Sequence, residues 1–396
     1  MHKGETMKYN FNEVPCRKDV GSAKWRGMYA INPNVSEDVI PFSVADMEFY
    51  NAPALVEGLK KYLDEPIFGY TGPTERYYDA VINYMAKYHN YKIEKDWIVE
   101  IGGIVPALFH LVSSLTNMND GVIIMKPVYY PFTMAIERSG RKVENVSLIE
   151  KDGKYTINFE ELEKVAKLET TTCMILCNPH NPIGRVWTKE ELMKIGDICL
   201  ENNLTLISDD IHFDFVMKGY EHNVITTLKE EYAKNTVVCT APSKSFNLGG
   251  VQVSNIIIQN EELRNKFKEH LNNIACWGIN TFAYKTCEIV YNECRDWLEE
   301  LLEVLENNKK LVEDYIREHC PQIKVCPLEG TYLMWLDCRA LNLSHEELEK
   351  LMIENELYLD EGYIFGDEGK GFERINIACP PESLLKGLER FKNAIK

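Results

Sequence analysis

Six short runs dominated by apolar residues recur along the chain, with segments of helical spacing between them. They lie at 97–101, 121–125, 172–177, 204–207, 236–240 and 251–259. Strands of this kind do not alternate polar and apolar residues, so both of their faces must be covered. That pattern belongs to a parallel or mostly parallel sheet with helices on both sides. Helical segments are expected at 107–115, 133–139 and 189–202; in the last, Leu192, Ile195 and Cys199 share one face.

Beyond residue 260 the character changes. Residues 261–319 are dense in Glu, Lys and Leu and read as long helices, including one over 297–318. Residues 322–340 alternate like strands around Gly330, 345–355 reads as a helix, 372–378 as a strand and 382–395 as a closing helix. This is an α+β unit attached to an α/β unit. The expected division is a large domain over 46–288 and a smaller one built from 1–45 with 289–396.

Composition narrows the function classes. Lys and Arg number 44 against 61 Asp and Glu, a formal charge of −17, which argues against a nucleic-acid partner. No run approaches the roughly 18 apolar residues of a membrane span. The polar stretch 1–10 lacks the apolar centre of a signal peptide. The 12 cysteines are scattered without the spacing of a disulfide framework. The expectation is a reduced, cytoplasmic protein acting on small molecules, with no membrane or nucleic-acid partner. No G-x-G-x-x-G follows a strand, and neither a Walker loop nor a G-x-S-x-G elbow occurs. Cys173, Cys177 and His180 belong to or adjoin an apolar strand, so no metal is expected.

In open α/β sheets, ligands gather at the carboxyl ends of the strands. Those ends carry an unusual set here. Gly103 opens a helix, Tyr129 follows the second strand, Asn181 follows the third, Asp209 ends the fourth and Lys244 follows the fifth. Pyridoxal 5'-phosphate needs such groups: a lysine for its aldehyde, a carboxylate for its ring nitrogen, a stacking ring, a donor for its phenolic oxygen and a helix start for its phosphate.

Six segments carry a family resemblance: Val44-Ala-Asp-Met-Glu-Phe49, Phe68-Gly-Tyr-Thr71, Cys177-Asn-Pro-His-Asn-Pro-Ile-Gly-Arg-Val-Trp187, Ser208-Asp-Asp-Ile-His212, Ala241-Pro-Ser-Lys-Ser-Phe-Asn-Leu-Gly-Gly250 and Phe372-Glu-Arg-Ile-Asn-Ile-Ala-Cys-Pro380. In this order the chain resembles the fold-type I aminotransferase-like enzymes and, within them, the MalY/PatB group of cystathionine β-lyases. The resemblance implies an α/β fold-type I transferase with a mostly parallel seven-stranded sheet in the large domain and a smaller α+β domain.

It also implies roles. Lys244 matches the Schiff-base lysine and Asp209 the acid on the pyridinium nitrogen, with Asp210 where the group usually has Glu. Asn181 matches the amide at the phenolic oxygen and touches substrate. Tyr129 matches the stacking ring, with Tyr130 competing for that place. His212 lies near the ring or is a structural histidine. Gly103, Ile104, Val105 and Ser243 match phosphate donors. Gln252 stands where many relatives in the wider superfamily carry arginine. Arg374 matches the arginine that grips the substrate carboxylate. Tyr70 matches a tyrosine that reaches the neighbouring site of a homodimer. The implied activity is C–S β-elimination from L-cystathionine or a cysteine S-conjugate. The alternatives are an L-amino-acid aminotransferase or a cofactor-bound regulatory protein.

Overall fold

The computed structural model describes residues 7–65 and 67–396, so the first six residues of the polar N-terminal stretch lie outside the described residues. Seven strands form the main sheet, in the order Ile98–Ile101, Ser254–Ile257, Thr236–Thr240, Thr205–Asp209, Thr171–Cys177, Gly121–Ile124 and Lys142–Asn145. Every neighbouring pair is parallel except the two made by Ser254–Ile257. The mostly parallel seven-stranded sheet is therefore present.

Covering of both faces explains the apolar runs. On Thr171–Cys177, residues Cys173, Ile175 and Cys177 join a core with Leu108 and Leu111 of helix Ile104–Leu115. Met174 and Leu176 of the same strand join the opposite core, with Leu192 and Ile195 of helix Lys189–Glu201. That helix starts at a capping box: Glu191 N–H donates to the Thr188 hydroxyl, and Thr188 N–H donates back to the Glu191 carboxylate at 2.9 Å.

Lys142–Asn145 escapes the periodicity because it is an edge strand whose residues are half-buried or exposed. Charged side chains suit an open edge. Likewise the stretch 1–45 contains helix Ala23–Ile31. Only Lys24, Trp25 and Met28 of that helix are buried, so it shows no apolar stripe. Its Lys24 amine instead meets the buried Glu48 carboxylate at 3.0 Å.

A second sheet, wholly antiparallel, has the order Lys324–Val325, Leu333–Asp337, Phe372–Asn376, Asp360–Glu361. Helix Arg295–His319 packs against Lys324–Val325 and against helix Pro381–Ala394. Gly330 marks where this unit meets the main sheet's loops. A Cβ there would lie 2.7 Å from Val186 and 2.9 Å from the Phe215 carbonyl, so only glycine fits. No helix among the described residues is long and apolar enough to cross a membrane.

Candidate active site

Strand register assembles the site. Cys177 pairs with Asp209, and Asp209 pairs with Cys239, so three central strands end at one level. The segments leaving those ends carry Asn181, the 209–212 run and Lys244 to one rim. A cavity of about 260 Å³ opens there. Gly103, Ile104, Val105, Tyr129, Asn181, Asp209, His212, Ser243, Lys244 and Arg374 all line it. Tyr70 does not; it stands fully exposed on the loop after residue 66.

Asp209 is 2% exposed and accepts one backbone hydrogen bond, from Ile211 N–H at 3.2 Å. Burial raises its pKa to about 7; the Asp210 charge adds to the rise, and Ile211 N–H and Lys244 oppose it. A carboxyl in this state favours a cationic partner. Asp210 turns away from the cavity: the Ser208 hydroxyl donates to it, and His222 Nε2 lies 3.3 Å from its other oxygen.

Lys244 sits in a four-residue helix, Pro242–Ser245, directly after its strand. Its ammonium donates to the Ala45 carbonyl at 2.7 Å. Burial lowers its pKa to about 8; Arg374 pushes the same way, while Asp46, Asp209 and Asp360 oppose. The turn is anchored from behind. Ser245 donates its hydroxyl to the buried Asp214 carboxylate, which also accepts from the Tyr84 hydroxyl at 2.9 Å and from Arg295 at 3.1 Å.

The Ala45 carbonyl is aimed by an unusual backbone. Val44 has φ = 57°, a left-handed conformation that is costly for a β-branched residue. Asp360 holds it by accepting from Val44 N–H at 2.8 Å, and Asn376 donates to the Val44 carbonyl at 2.7 Å. The Tyr332 hydroxyl also donates to Ala45, at 3.0 Å.

Also lining the cavity, Gly103 adopts φ = 102° and caps helix Ile104–Leu115. The first N–H groups of a helix have no partner within it, and they attract anions. Ser243 and Gln252 face the same cavity.

Arg374 is 3% exposed. One of its terminal nitrogens donates to Asn181 Oδ1 at 2.7 Å, the other to Asp360, and its Nε is buried without a partner. Tyr129 is half-buried, and its N–H donates to the Asn181 carbonyl at 3.1 Å; desolvation pushes its hydroxyl pKa up. Tyr130 beside it is half-exposed, and both rings line the cavity. His212 is buried, its Nδ1 has no partner, and burial holds it far below the ordinary histidine range, so it is neutral.

Sequence reasoning missed Asp360 and gave no role to Val44 or Ala45. Asp360 belongs to a two-residue strand, and its only signal is its register opposite Arg374.

The family described as aminotransferase class I and II matches residues 37–391. The chain is 39% identical over 390 residues to "Cystathionine beta-lyase PatB" of Bacillus subtilis, covering 98% of this chain and 100% of that one. It superposes on cystalysin of Treponema denticola, a structure that contains a pyridoxal 5'-phosphate cofactor, with TM-score 0.96 and 48% identity over 98% of this chain and 99% of the other. A PLP-bound C–S lyase of Staphylococcus hominis, in complex with L-cycloserine, gives TM-score 0.91 at 30% identity over 98% and 99% of the two chains.

Proposed function

The chain belongs to the aminotransferase class I and II family, and we propose that it works as a PLP-dependent carbon–sulfur β-lyase. It cleaves L-cystathionine or a cysteine S-conjugate to a thiol, pyruvate and ammonia, in keeping with its lyase relatives. The observation that carries this reading is one cavity holding a buried amine of lowered pKa, a buried acid of raised pKa and a buried arginine with a free donor.

These residues fit pyridoxal 5'-phosphate. Asp209 suits a protonated ring nitrogen, Lys244 the aldehyde, and Tyr129 the ring face. Ile104 and Val105 N–H with the Ser243 hydroxyl suit the phosphate. The unpartnered His212 Nδ1 and Arg374 Nε are donors or acceptors that a ligand would satisfy. When bound, the cofactor supplies an electron sink for the pair left behind at Cα.

The chain's own residues do the rest. Arg374 and Asn181 hold the substrate α-carboxylate, Arg374 through a planar fork that fixes orientation. Asp209 keeps the proton on the ring nitrogen. Lys244, whose pKa burial lowers to about 8, takes the Cα proton as general base. The Ala45 carbonyl aims that amine. The bond from Cβ to sulfur then breaks; its electron pair leaves with the sulfur, which takes up a proton to become the thiol, and water hydrolyses the remaining aminoacrylate to pyruvate and ammonia.

Offered L-cystathionine without any keto acid, the purified holoenzyme should release pyruvate and thiol continuously. An aminotransferase would stop after one turnover per site, with no thiol released. That outcome would replace the lyase reading.

The working unit is a homodimer in which Tyr70 enters the neighbouring site. Supporting this, Tyr70 is fully exposed and Ile67 is 79% exposed on a loop whose Phe68 joins a ring cluster with Tyr62 and Phe282. Such an apolar loop calls for a cover. Mixing subunits gives a test. Lys244→Ala and Tyr70→Ala proteins, each inactive, should regain about a quarter of full activity after unfolding and refolding together, because each hybrid dimer has one intact site. No recovery would mean that Tyr70 serves its own subunit, and a Tyr70→Ala protein that is active alone would mean that it serves no site.

A further inference from the structure

We propose that Glu361 and Glu373, which face each other across two paired strands, keep a proton between them, and that this proton holds Asp360 against Arg374. The two glutamates are then positioning residues for the grip on the substrate α-carboxylate. The proposal rests on Arg374 holding that carboxylate, as in the lyase reading above, and on no later step of the reaction.

Strand Phe372–Asn376 presents Arg374 to the cavity. Side chains alternate along a strand, so Glu373 turns to the other face of the second sheet. It is 1% exposed, and its Oε2 has no hydrogen-bond partner. The residue opposite it is Glu361, half-buried and next to Asp360. Directly opposed residues of an antiparallel pair share a face with Cβ atoms about 5 Å apart, and like charges placed so oppose the pairing. Burial raises the Glu361 carboxyl to about 7, with Glu349 and Asp360 adding to the rise. Burial raises Glu373 as well, and there Glu361, Asp360 and Glu349 all add. The pair therefore still holds a proton at pH 7, where ordinary carboxyls hold none.

No neighbour among the described residues offers a counter-charge. Glu349, from helix His345–Glu354, accepts from the Tyr363 hydroxyl at 3.1 Å. Burial pushes the Cys338 thiol up, so it is neutral. The nearby cations have partners of their own: His345 lies 3.0 Å from Glu346, Lys370 2.7 Å from Asp367 and Arg339 2.7 Å from Asp337.

The consequence reaches the site through one short strand. Asp360–Glu361 makes only two pairings with its neighbour. Loss of the last proton sets two negative charges against one of them. The other is Asp360 opposite Arg374, where Asp360 accepts from Arg374 and, at 2.8 Å, from Val44 N–H. A loosened strand frees the guanidinium from its fixed orientation. The sign is that of any carboxyl raised by burial: the fold binds the proton more tightly than the open chain, so the paired state is favoured at low pH and lost as pH rises through the raised pKa. Val44 and Ala45 keep their bonds from Asn376 and Tyr332, so the aim of Lys244 suffers less than the grip of Arg374.

The test titrates the holoenzyme with L-alanine, which carries the α-carboxylate and nothing to eliminate, and follows the cofactor's visible band from pH 6.5 to 9.5. Glu361→Gln supplies a permanent donor that cannot ionise. The two proteins should bind within about twofold at pH 6.5, and the wild type should weaken by about fivefold or more relative to the variant by pH 9.5. The α-ammonium of L-alanine and the cofactor titrate in both proteins, so their effects cancel in the ratio. With L-cystathionine the same divergence should fall on KM rather than kcat. Glu373→Gln takes the place of Glu361→Gln if that protein does not fold. Parallel pH profiles, or a divergence confined to kcat, would overturn the proposal and leave the glutamates as packing residues. A wild-type band unmoved by L-alanine would overturn it together with the role of Arg374. Divergent L-alanine binding without pyruvate from L-cystathionine would uphold the proposal and remove the lyase reading.

Discussion

Lys244→Ala should lower kcat for pyruvate release by about 10⁴-fold or more, since it removes both the attachment point of the cofactor and the base for the Cα proton. The variant should also lack the visible absorption of the wild-type holoenzyme and give no borohydride-fixed adduct. Its cofactor-free fold should melt no lower than that of the wild type at pH 7. The sign follows from linkage. Burial lowers the Lys244 pKa to about 8, from 10.5 in an open chain. Between those values the unfolded chain binds the extra proton, so the wild-type fold gains stability as pH rises through that window. Below about pH 8 the fold carries a buried cation at a cost, and alanine removes it. Retention of more than about one hundredth of wild-type turnover would refute the role given to this amine.

Asp209→Asn should cost about 10²- to 10³-fold in kcat, because an amide cannot hold the ring nitrogen in its protonated form. The same substitution should stabilise the cofactor-free protein. In the unfolded chain this carboxyl ionises near pH 3.8, whereas in the fold its pKa is about 7. Across that interval the native state binds more protons than the unfolded state, so wild-type stability falls as pH rises, by at most about 1.4 kcal/mol per pH unit. The melting temperature of cofactor-free Asp209→Asn should therefore exceed that of the wild type by a margin that grows from pH 5 to pH 8. Added cofactor should reverse the order, since it brings the cation that the carboxylate lacks. A margin that does not change with pH would mean that Asp209 is not the buried, cation-seeking acid described above.

The two effects have one origin. The site keeps an acid and an amine out of water before its ligand arrives, and both ionise badly there. Stability is withheld from the empty fold and returned when the ligand supplies the missing charge. Asp214 is the contrasting case. Its burial is offset by His89, Arg295 and Ser245, which hold its carboxyl below the usual range, and the Tyr84 hydroxyl donates to it as well. It anchors the lysine turn and asks nothing of a ligand.

Much of the site could be read from the chain because its parts lie at the ends of strands that announce themselves. Asp209 ends an apolar strand, Lys244 follows another, and Gly103 stands between a strand and a helix. The six apolar runs mark strands because a parallel sheet buries both of their faces. The seventh strand, Lys142–Asn145, has an open edge, and helix Ala23–Ile31 buries charge instead of an apolar stripe. Neither produces the periodic signal that marks a covered element.

Local order along the chain, then, determined the covered sheet, the sites of the lysine, the acid and the helix start, and the family to which they belong. Tertiary structure alone decided where those groups look. The carbonyl that aims Lys244 comes from a residue 199 positions earlier, and Arg374 meets Asn181 across 193 positions. Asp360 meets Arg374 only because two short strands pair in one register. Periodicity reports which face of an element is covered, through near-neighbour geometry. Hydrogen bonds between distant segments depend on how whole elements pack, and no repeat along the chain encodes that.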